Sequence, residues 1–115
     1  DKISFGLERL ETKNEFKNPE INLNSLSNIL GTNSNYLSRF INHYKGINFS
    51  SYLNQLRIDH ALEILHSDSK IRKYSIKGIA EEVGYNNAES FSNAFHKRTG
   101  LKPSYYIKRL EKKKF

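Results

Sequence analysis

The fold of this chain is decided by the stretch SIKGIAEEVGYNNAESFSNAFHKRTGLKPSYYIKRL, residues 75–110. Ser75 and Asn87 are residue types that favour helix N-caps, and Gly84 between them is typical of a helix end. Pro103 suits the first position of a helix, where its missing N–H has no intrahelical partner. The apolar residues between these signals recur at helical spacing: Ile79, Ala80, Phe91, Ala94 and Phe95. The stretch therefore predicts three helices, over 76–83, over 88–98 and from 103 onward.

The same helical spacing runs through residues 1–74, and no segment alternates apolar and polar residues as a half-buried strand does. Pro19 should end the first helix, because the residue before proline resists helical angles. The next helices are predicted over 23–30, 34–44 and 49–66, after the N-cap residues Asn22, Asn33 and Asn48. The inward residues of the first and third helices are predicted to be Ile3, Leu7, Leu10, Phe16, Leu37, Phe40, Ile41 and Tyr44. The sequence thus predicts an all-α fold of about seven helices.

The two halves of the chain repeat each other at an offset of about 54 residues. Leu37, Ser38, Gly46, Ser50 and Tyr52 fall on Phe91, Ser92, Gly100, Ser104 and Tyr106. Each copy is a helix, a glycine-containing turn and a helix, which is a helix-turn-helix unit, and two copies are too few for a solenoid. We therefore predict an N-terminal helix and linker (1–20), a first helix-turn-helix subdomain (21–48), a long linker helix (49–66), a second helix-turn-helix subdomain (67–110) and a basic tail (111–115).

The charge of the chain points to a polyanionic partner. The net charge is +7 at pH 7; residues 1–30 carry four Lys or Arg and five Asp or Glu, whereas residues 31–115 carry fifteen and seven. Such a basic domain suits nucleic acid first and an anionic membrane surface second. The absence of cysteine and of a signal peptide fits an intracellular protein, although a cysteine-free secreted domain is compatible with it too. With a nucleic-acid partner, we expect a cytoplasmic, nucleoid-associated protein, either alone or as the cytoplasmic part of a larger protein. The absence of methionine, even at the first position, indicates a piece of a longer chain.

The sequence contains no pattern typical of an enzyme or a metal site. The four histidines are scattered, with no HExxH pair, and there is no cysteine to ligate a metal. No glycine-rich phosphate loop follows a strand, and no serine or threonine lies in a nucleophile elbow. We expect no enzymatic activity, no cofactor and no metal.

The second helix of a helix-turn-helix unit enters the major groove, where each base pair presents a distinguishable set of donors and acceptors. The outward residues of helix 34–44 are Asn35, Ser38 and Arg39. Arg39 is the best candidate, because a guanidinium can donate two hydrogen bonds to guanine O6 and N7. The equivalent residues of helix 88–98 are Ala88, Glu89, Ser92 and Asn93, a smaller and less basic set whose base readout should be weaker. The alternative is that both sets are ordinary solvated residues, although their recurrence in two units argues against it.

Phosphate contacts are expected from the helix N-termini at Asn33 and Asn87, and from three cations near the groove rim, Lys45, Lys97 and Arg98. The cations Lys108, Arg109, Lys112, Lys113 and Lys114 are either an extra electrostatic contact or a solvated end, and the solvated end is favoured. A linker helix of ~18 residues spans ~27 Å, which approaches the ~34 Å between successive major-groove segments on one face of a duplex. If the spacing falls short, either the DNA bends or one unit alone engages fully.

Residues 75–110 resemble the signature of the AraC family of bacterial transcription activators. The matching pieces are Ile79-Ala80, Val83-Gly84-Tyr85, Phe91-Ser92, Phe95, Gly100 and Pro103 to Tyr106, with Tyr52-Leu53, Leu56-Arg57 and Ala61 to Leu65 in the linker helix and Leu37-Ser38-Arg39 before it. The resemblance covers roughly residues 22–110. It implies two helix-turn-helix subdomains bridged by a long helix, with base contacts at the seven residues named above. Asn93 stands where some members have arginine, so weaker readout is expected there. The resemblance also implies double-stranded DNA and RNA polymerase as partners, and a separate sensing or dimerising domain on the same chain.

Two other functions fit a basic helical domain. A protein-interaction module would bind its partner at salt concentrations that abolish DNA binding, but interface cores favour aromatic residues and methionine over polar strips. Non-specific nucleic-acid binding, including RNA binding, would show a steep salt dependence without a preferred sequence.

Overall fold

The computed structural model describes residues 2–112, and this part of the chain contains seven α-helices, two 3₁₀ turns and no strand. The helices are α1 (Lys2–Thr12), α2 (Leu23–Ile29), α3 (Ser34–Lys45), α4 (Phe49–Ser67), α5 (Ile76–Glu82), α6 (Ala88–Thr99) and α7 (Pro103–Lys112). The predicted all-α fold is therefore confirmed. None of these helices is long and apolar enough to cross a membrane.

The chain divides into two compact units, Asp1–Leu56 and Arg57–Phe115, and the boundary falls inside α4. The buried core of the first unit consists of Ile3, Leu7, Leu10, Phe16, Leu26, Leu37, Ile41, Phe49, Tyr52 and Leu53. The buried core of the second consists of Ile58, Ala61, Leu65, Ile71, Ile79, Ala80, Val83, Tyr85, Phe91 and Phe95. Each unit thus has a hydrophobic core of its own. The first half of α4 packs in the core of the first unit, and its second half packs in the core of the second.

The internal repeat is visible in the way the helices begin and end. Asn33 and Asn87 cap α3 and α6 identically, because each side-chain oxygen accepts a hydrogen bond from the backbone N–H three residues later, at 2.9 and 2.8 Å. Gly46 and Gly100 end the same two helices with φ of 72° and 81°, a left-handed conformation that residues with a Cβ rarely adopt. Both helices contain 12 residues. The predicted starts of α3 and α6 are confirmed.

The helices that precede α3 and α6 also correspond. Asn22 and Ser75 cap α2 and α5, and both of these helices contain seven residues. The turn after each helix passes through a glycine with positive φ, Gly31 at 70° and Gly84 at 111°. Two helix-turn-helix units of equal helix lengths therefore follow one another along the chain.

Three local features differ from the prediction. Phe16 is buried, but it lies on a 3₁₀ turn, Glu15–Lys17, because α1 ends at Thr12 and Asn14 then adopts a left-handed φ of 58°. Tyr44 was predicted to face inward and is 65% exposed; it lies in the last turn of α3, where its ring stacks on that of Phe40 at 4.4 Å. The polar stretch before α5 contains a 3₁₀ turn that buries Ile71.

Candidate nucleic-acid interface

The outward face of α3 is the candidate surface of the first unit. Leu37 and Ile41 are fully buried, which turns the opposite side of the helix toward solvent. Asn35 and Arg39 are exposed on that side and lie one helical turn apart, and Ser38 between them is half-buried. The structure therefore brings the three predicted base-contacting residues of α3 together on one polar strip.

Two further exposed residues belong to this strip and were missed by sequence reasoning. Tyr36 is 49% exposed and lies three residues before Arg39, while His43 is exposed four residues after it. Their spacing from Arg39 was the available signal, because residues three and four apart share a helix face. The strip thus offers a phenol and an imidazole in addition to amide, hydroxyl and guanidinium groups.

The outward face of α6 is the corresponding surface of the second unit. Phe91 and Phe95 are fully buried and orient this helix as Leu37 and Ile41 orient α3. Glu89 and Asn93 are exposed, and Ala88 and Ser92 are half-buried. The carboxylate of Glu89 occupies the place that the amide of Asn35 has in α3, so α6 offers fewer hydrogen-bond donors.

The residues predicted to contact phosphate fall into two groups. Asn33 and Asn87 lie at the N-termini of α3 and α6, where the first backbone N–H groups of a helix lack intrahelical acceptors, and Lys97 is exposed on α6. Lys45 and Arg98 already bind carboxylates. The Lys45 ammonium lies 3.0 Å from Glu11, and the Arg98 guanidinium contacts Asp59 at 3.0 and 2.9 Å.

A buried cation supports the turn that leads into α6. Arg57, which is only 7% exposed, lies over the ring of Tyr85 at 5.3 Å from its centroid. Burial lowers the pKa of Arg57 and raises the pKa of Tyr85 to about 12. Tyr85 follows Gly84 in the turn and its ring contacts Phe91, the first fully buried residue of α6. This contact chain connects α4 to the start of the helix that carries the candidate surface.

The C-terminal cations lie apart from both candidate strips in the sequence. Lys108, Arg109 and Lys112 are exposed on α7, and Arg109 lies 5.9 Å from the ring centroid of Tyr105. Lys113 and Lys114, which were grouped with them, lie outside the described residues. Among residues 2–112, no group of three or more His, Cys, Asp or Glu is arranged to hold a metal ion.

Comparison with known proteins places these features in a family. Residues 26–109 match a family described as a helix-turn-helix domain. Over 95 residues the chain is 36% identical to YesN of Bacillus subtilis, described as an uncharacterized transcriptional regulatory protein. This match covers 80% of the chain and 25% of YesN, so the chain spans about a quarter of that relative's length.

Two solved structures share the fold. The C-terminal domain of AraT, a response regulator from Geobacillus stearothermophilus, is 30% identical, with a TM-score of 0.81 over 95% of this chain and 85% of that one. The DNA-binding domain of the global transcriptional factor AdpA, solved in complex with a target DNA, has a TM-score of 0.84 at 14% identity, over 98% of this chain and 96% of that one.

Proposed function

The chain belongs to the AraC-type helix-turn-helix family of DNA-binding domains of transcription regulators, and from that premise we propose that it binds duplex DNA at specific sequences. The observation that carries the proposal is the polar strip on α3, which lies opposite a fully buried face and presents Asn35 and Arg39 one turn apart. The fold that this chain shares with a DNA-bound domain, that of AdpA, supports the same function.

Base readout is assigned mainly to α3. Arg39 donates two hydrogen bonds to guanine O6 and N7, while Asn35 reads adenine and Ser38 adds a hydroxyl contact. In α6 the corresponding contacts come from Ala88, Glu89, Ser92 and Asn93, and they add less discrimination. Glu89 accepts from cytosine N4 if it reaches a base, but it repels phosphate. In this proposal α3 and α6 occupy successive major-groove segments.

Phosphate contacts position the domain without specifying sequence. We assign them first to the backbone N–H groups at the N-termini of α3 and α6, after Asn33 and Asn87, and to Lys97. Lys45 and Arg98 come second, since each would have to exchange a carboxylate partner for phosphate.

The assembly around the domain is also part of the proposal. We infer that residues 21–48 and 67–110 act as the two helix-turn-helix subdomains, with 49–66 as the linker helix, inside a longer regulator with a sensing or dimerising domain. The partners would be double-stranded DNA and RNA polymerase, which places the protein in the cytoplasm at the nucleoid. The matches to a quarter of YesN and to the C-terminal domain of a response regulator support this arrangement.

The proposal is tested by a binding selection on random duplex DNA at ~150 mM salt, where purely electrostatic binding is already weakened. We expect a two-part motif whose stronger part is read by α3. Binding that falls steeply with salt and yields no motif would instead indicate recognition by charge alone.

A further inference from the structure

The last turn of α6 is joined to α4 by a two-point ion pair. Arg98 Nε and Nη2 donate hydrogen bonds to the two carboxylate oxygens of Asp59, at 3.0 and 2.9 Å. Such a forked contact fixes the relative orientation of the two side chains as well as their separation. Phe95 is the last fully buried residue of α6, and the Arg98–Asp59 pair is a side-chain contact of the turn beyond it.

The last turn of α3 is held in a comparable way within the first unit. Lys45 Nζ donates to Glu11 of α1 at 3.0 Å, and the hydroxyl of Tyr52, near the start of α4, donates to the same carboxylate oxygen. In each unit, therefore, a carboxylate from outside the helix-turn-helix pair holds the C-terminal cation of the second helix. By the 54-residue offset Lys45 matches Thr99 and Arg98 matches Tyr44, so the two contacts are analogous but do not occupy equivalent positions of the repeat.

Arg98 lies on the side of α6 away from the residues proposed to read bases. Successive residues of an α-helix are rotated by about 100°, so Arg98, nine positions after Glu89, projects about 180° from it. If α6 enters the major groove with Glu89 and Asn93 toward the bases, the Arg98–Asp59 pair lies on the side of the helix away from the bases and stays intact.

We propose that Asp59 is a positioning residue for DNA recognition: through Arg98 it fixes the C-terminal end of α6 and hence the angle at which that helix presents its outward strip. This inference rests on the proposed function, duplex reading by the two helices, and for Arg98 it replaces the second-ranked phosphate contact with a positioning role.

The test is a charge exchange between Asp59 and Arg98. The variants are Asp59→Arg, Arg98→Asp and the double exchange, each measured for its Kd on the selected duplex and on a shuffled duplex of the same composition. The readout is the ratio of the two Kd values. A variant that is partly unfolded loses affinity for both duplexes by the same factor, so the ratio reports positioning and is insensitive to stability.

We expect each single reversal to lower the preference for the selected duplex about five-fold, as the loss of a well-formed exposed ion pair permits. The double exchange should return the preference to within about two-fold of the unmodified chain, because it restores the pair in the opposite sense. Glu63→Arg is the matched control: it makes the same charge change on α4, one turn further along on an exposed residue, and should leave the preference unchanged.

Three results would overturn the proposal. The preference could stay unchanged in both single variants, or the double exchange could be no better than either of them. Alternatively, Arg98→Asp could weaken both duplexes equally and reduce the salt slope, which would make Arg98 a phosphate contact. If the unmodified chain itself shows no preference between the duplexes, the proposed function fails and this inference with it. If the unmodified chain shows a preference and both single variants keep it, only the positioning role fails.

Discussion

Arg39 concentrates the proposed readout of the first unit in one side chain, so its removal is the most direct test at the residue scale. Arg39→Ala should cost ~1 to 3 kcal/mol on the selected duplex and little on a shuffled one, because the guanidinium contacts bases and not the backbone. The measurement is a pair of titrations by fluorescence anisotropy. Arg9→Ala is the control within the same unit, since the Arg9 guanidinium instead binds Glu15 at 2.8 Å. Equal losses on both duplexes would assign Arg39 to phosphate.

The stability that the Glu11 carboxylate contributes should depend on pH. Burial raises the pKa of this carboxyl, but the hydrogen bonds from Tyr52 and Lys45 outweigh burial, and the pKa lies below its ordinary value of 4.5. A carboxyl whose pKa is lowered on folding stabilises the folded state above its unfolded pKa, and that contribution disappears as the pH falls through the folded pKa. Glu11→Gln should therefore have a lower Tm than the unmodified chain at pH 7, and the difference should shrink as the pH falls below 4.5.

Circular dichroism melts over a pH series measure this effect, with Glu8→Gln as the control on an exposed residue of the same helix. A Tm difference that is constant with pH would show that the Glu11 carboxyl is not selectively stabilised in its charged form.

Among single residues, the sequence predicts which side chains are exposed on a helix but not which distant residues they pair with. The exposure of Asn35 and Arg39 follows from helical spacing relative to Leu37, so it was predictable. The partners of Lys45 and Arg98 were not, because Glu11 and Asp59 lie 34 and 39 positions away and no local pattern marks them. A phosphate role for a surface cation therefore remains a prediction even where its exposure is correctly anticipated.

At the scale of single helices, the caps decide where the candidate strips begin. Asn87 accepts a hydrogen bond from the Ser90 N–H at 2.8 Å, and the helix it starts carries the whole strip of the second unit. Asn87→Ala should lower the free energy of unfolding by ~1 kcal/mol, whereas Asn87→Ser should keep most of it, because serine also accepts this bond. Urea denaturation measures the difference, with Asn86→Ala as the neighbouring exposed control. Equal stability of the alanine and serine variants would contradict the capping role.

Helix starts were the most predictable part of the fold, for a physical reason. Asn22, Asn33, Ser75 and Asn87 each supply a side-chain acceptor for a backbone N–H, and the corresponding helices begin directly after them. The 3₁₀ turns at Glu15–Lys17 and Ile71–Lys73 were missed, because three residues are too few to show a period. Each turn nevertheless buries one large apolar side chain, Phe16 in the first and Ile71 in the second.

At the scale of the whole molecule, the repeat seen in the sequence became two hydrophobic cores. Leu37 and Phe91 occupy matching positions of the repeat, and each is fully buried within its own unit. The pattern of apolar residues was sufficient to predict both copies, because a buried helix face requires the same spacing wherever it occurs. The pattern did not reveal that the boundary between the units falls inside α4, since a continuous helix shows no break in its period.

Two separate cores predict separate responses to core damage. Leu37→Ala and Phe91→Ala should each destabilise by ~2 to 5 kcal/mol, because each removes a large buried side chain and leaves a cavity. Amide hydrogen exchange should rise in α2 and α3 for Leu37→Ala, and in α5 and α6 for Phe91→Ala, while the other unit stays protected. Leu37→Met, which nearly conserves volume, is the matched control and should cost less than ~1.5 kcal/mol.

Because each unit carries its own strip, the Leu37→Ala variant should also lose the part of the selected motif read by α3 and keep the part read by α6. Exchange that rises throughout both units in either variant would mean that the two cores fold as one cooperative unit, and a motif lost as a whole would then follow from the same cooperativity.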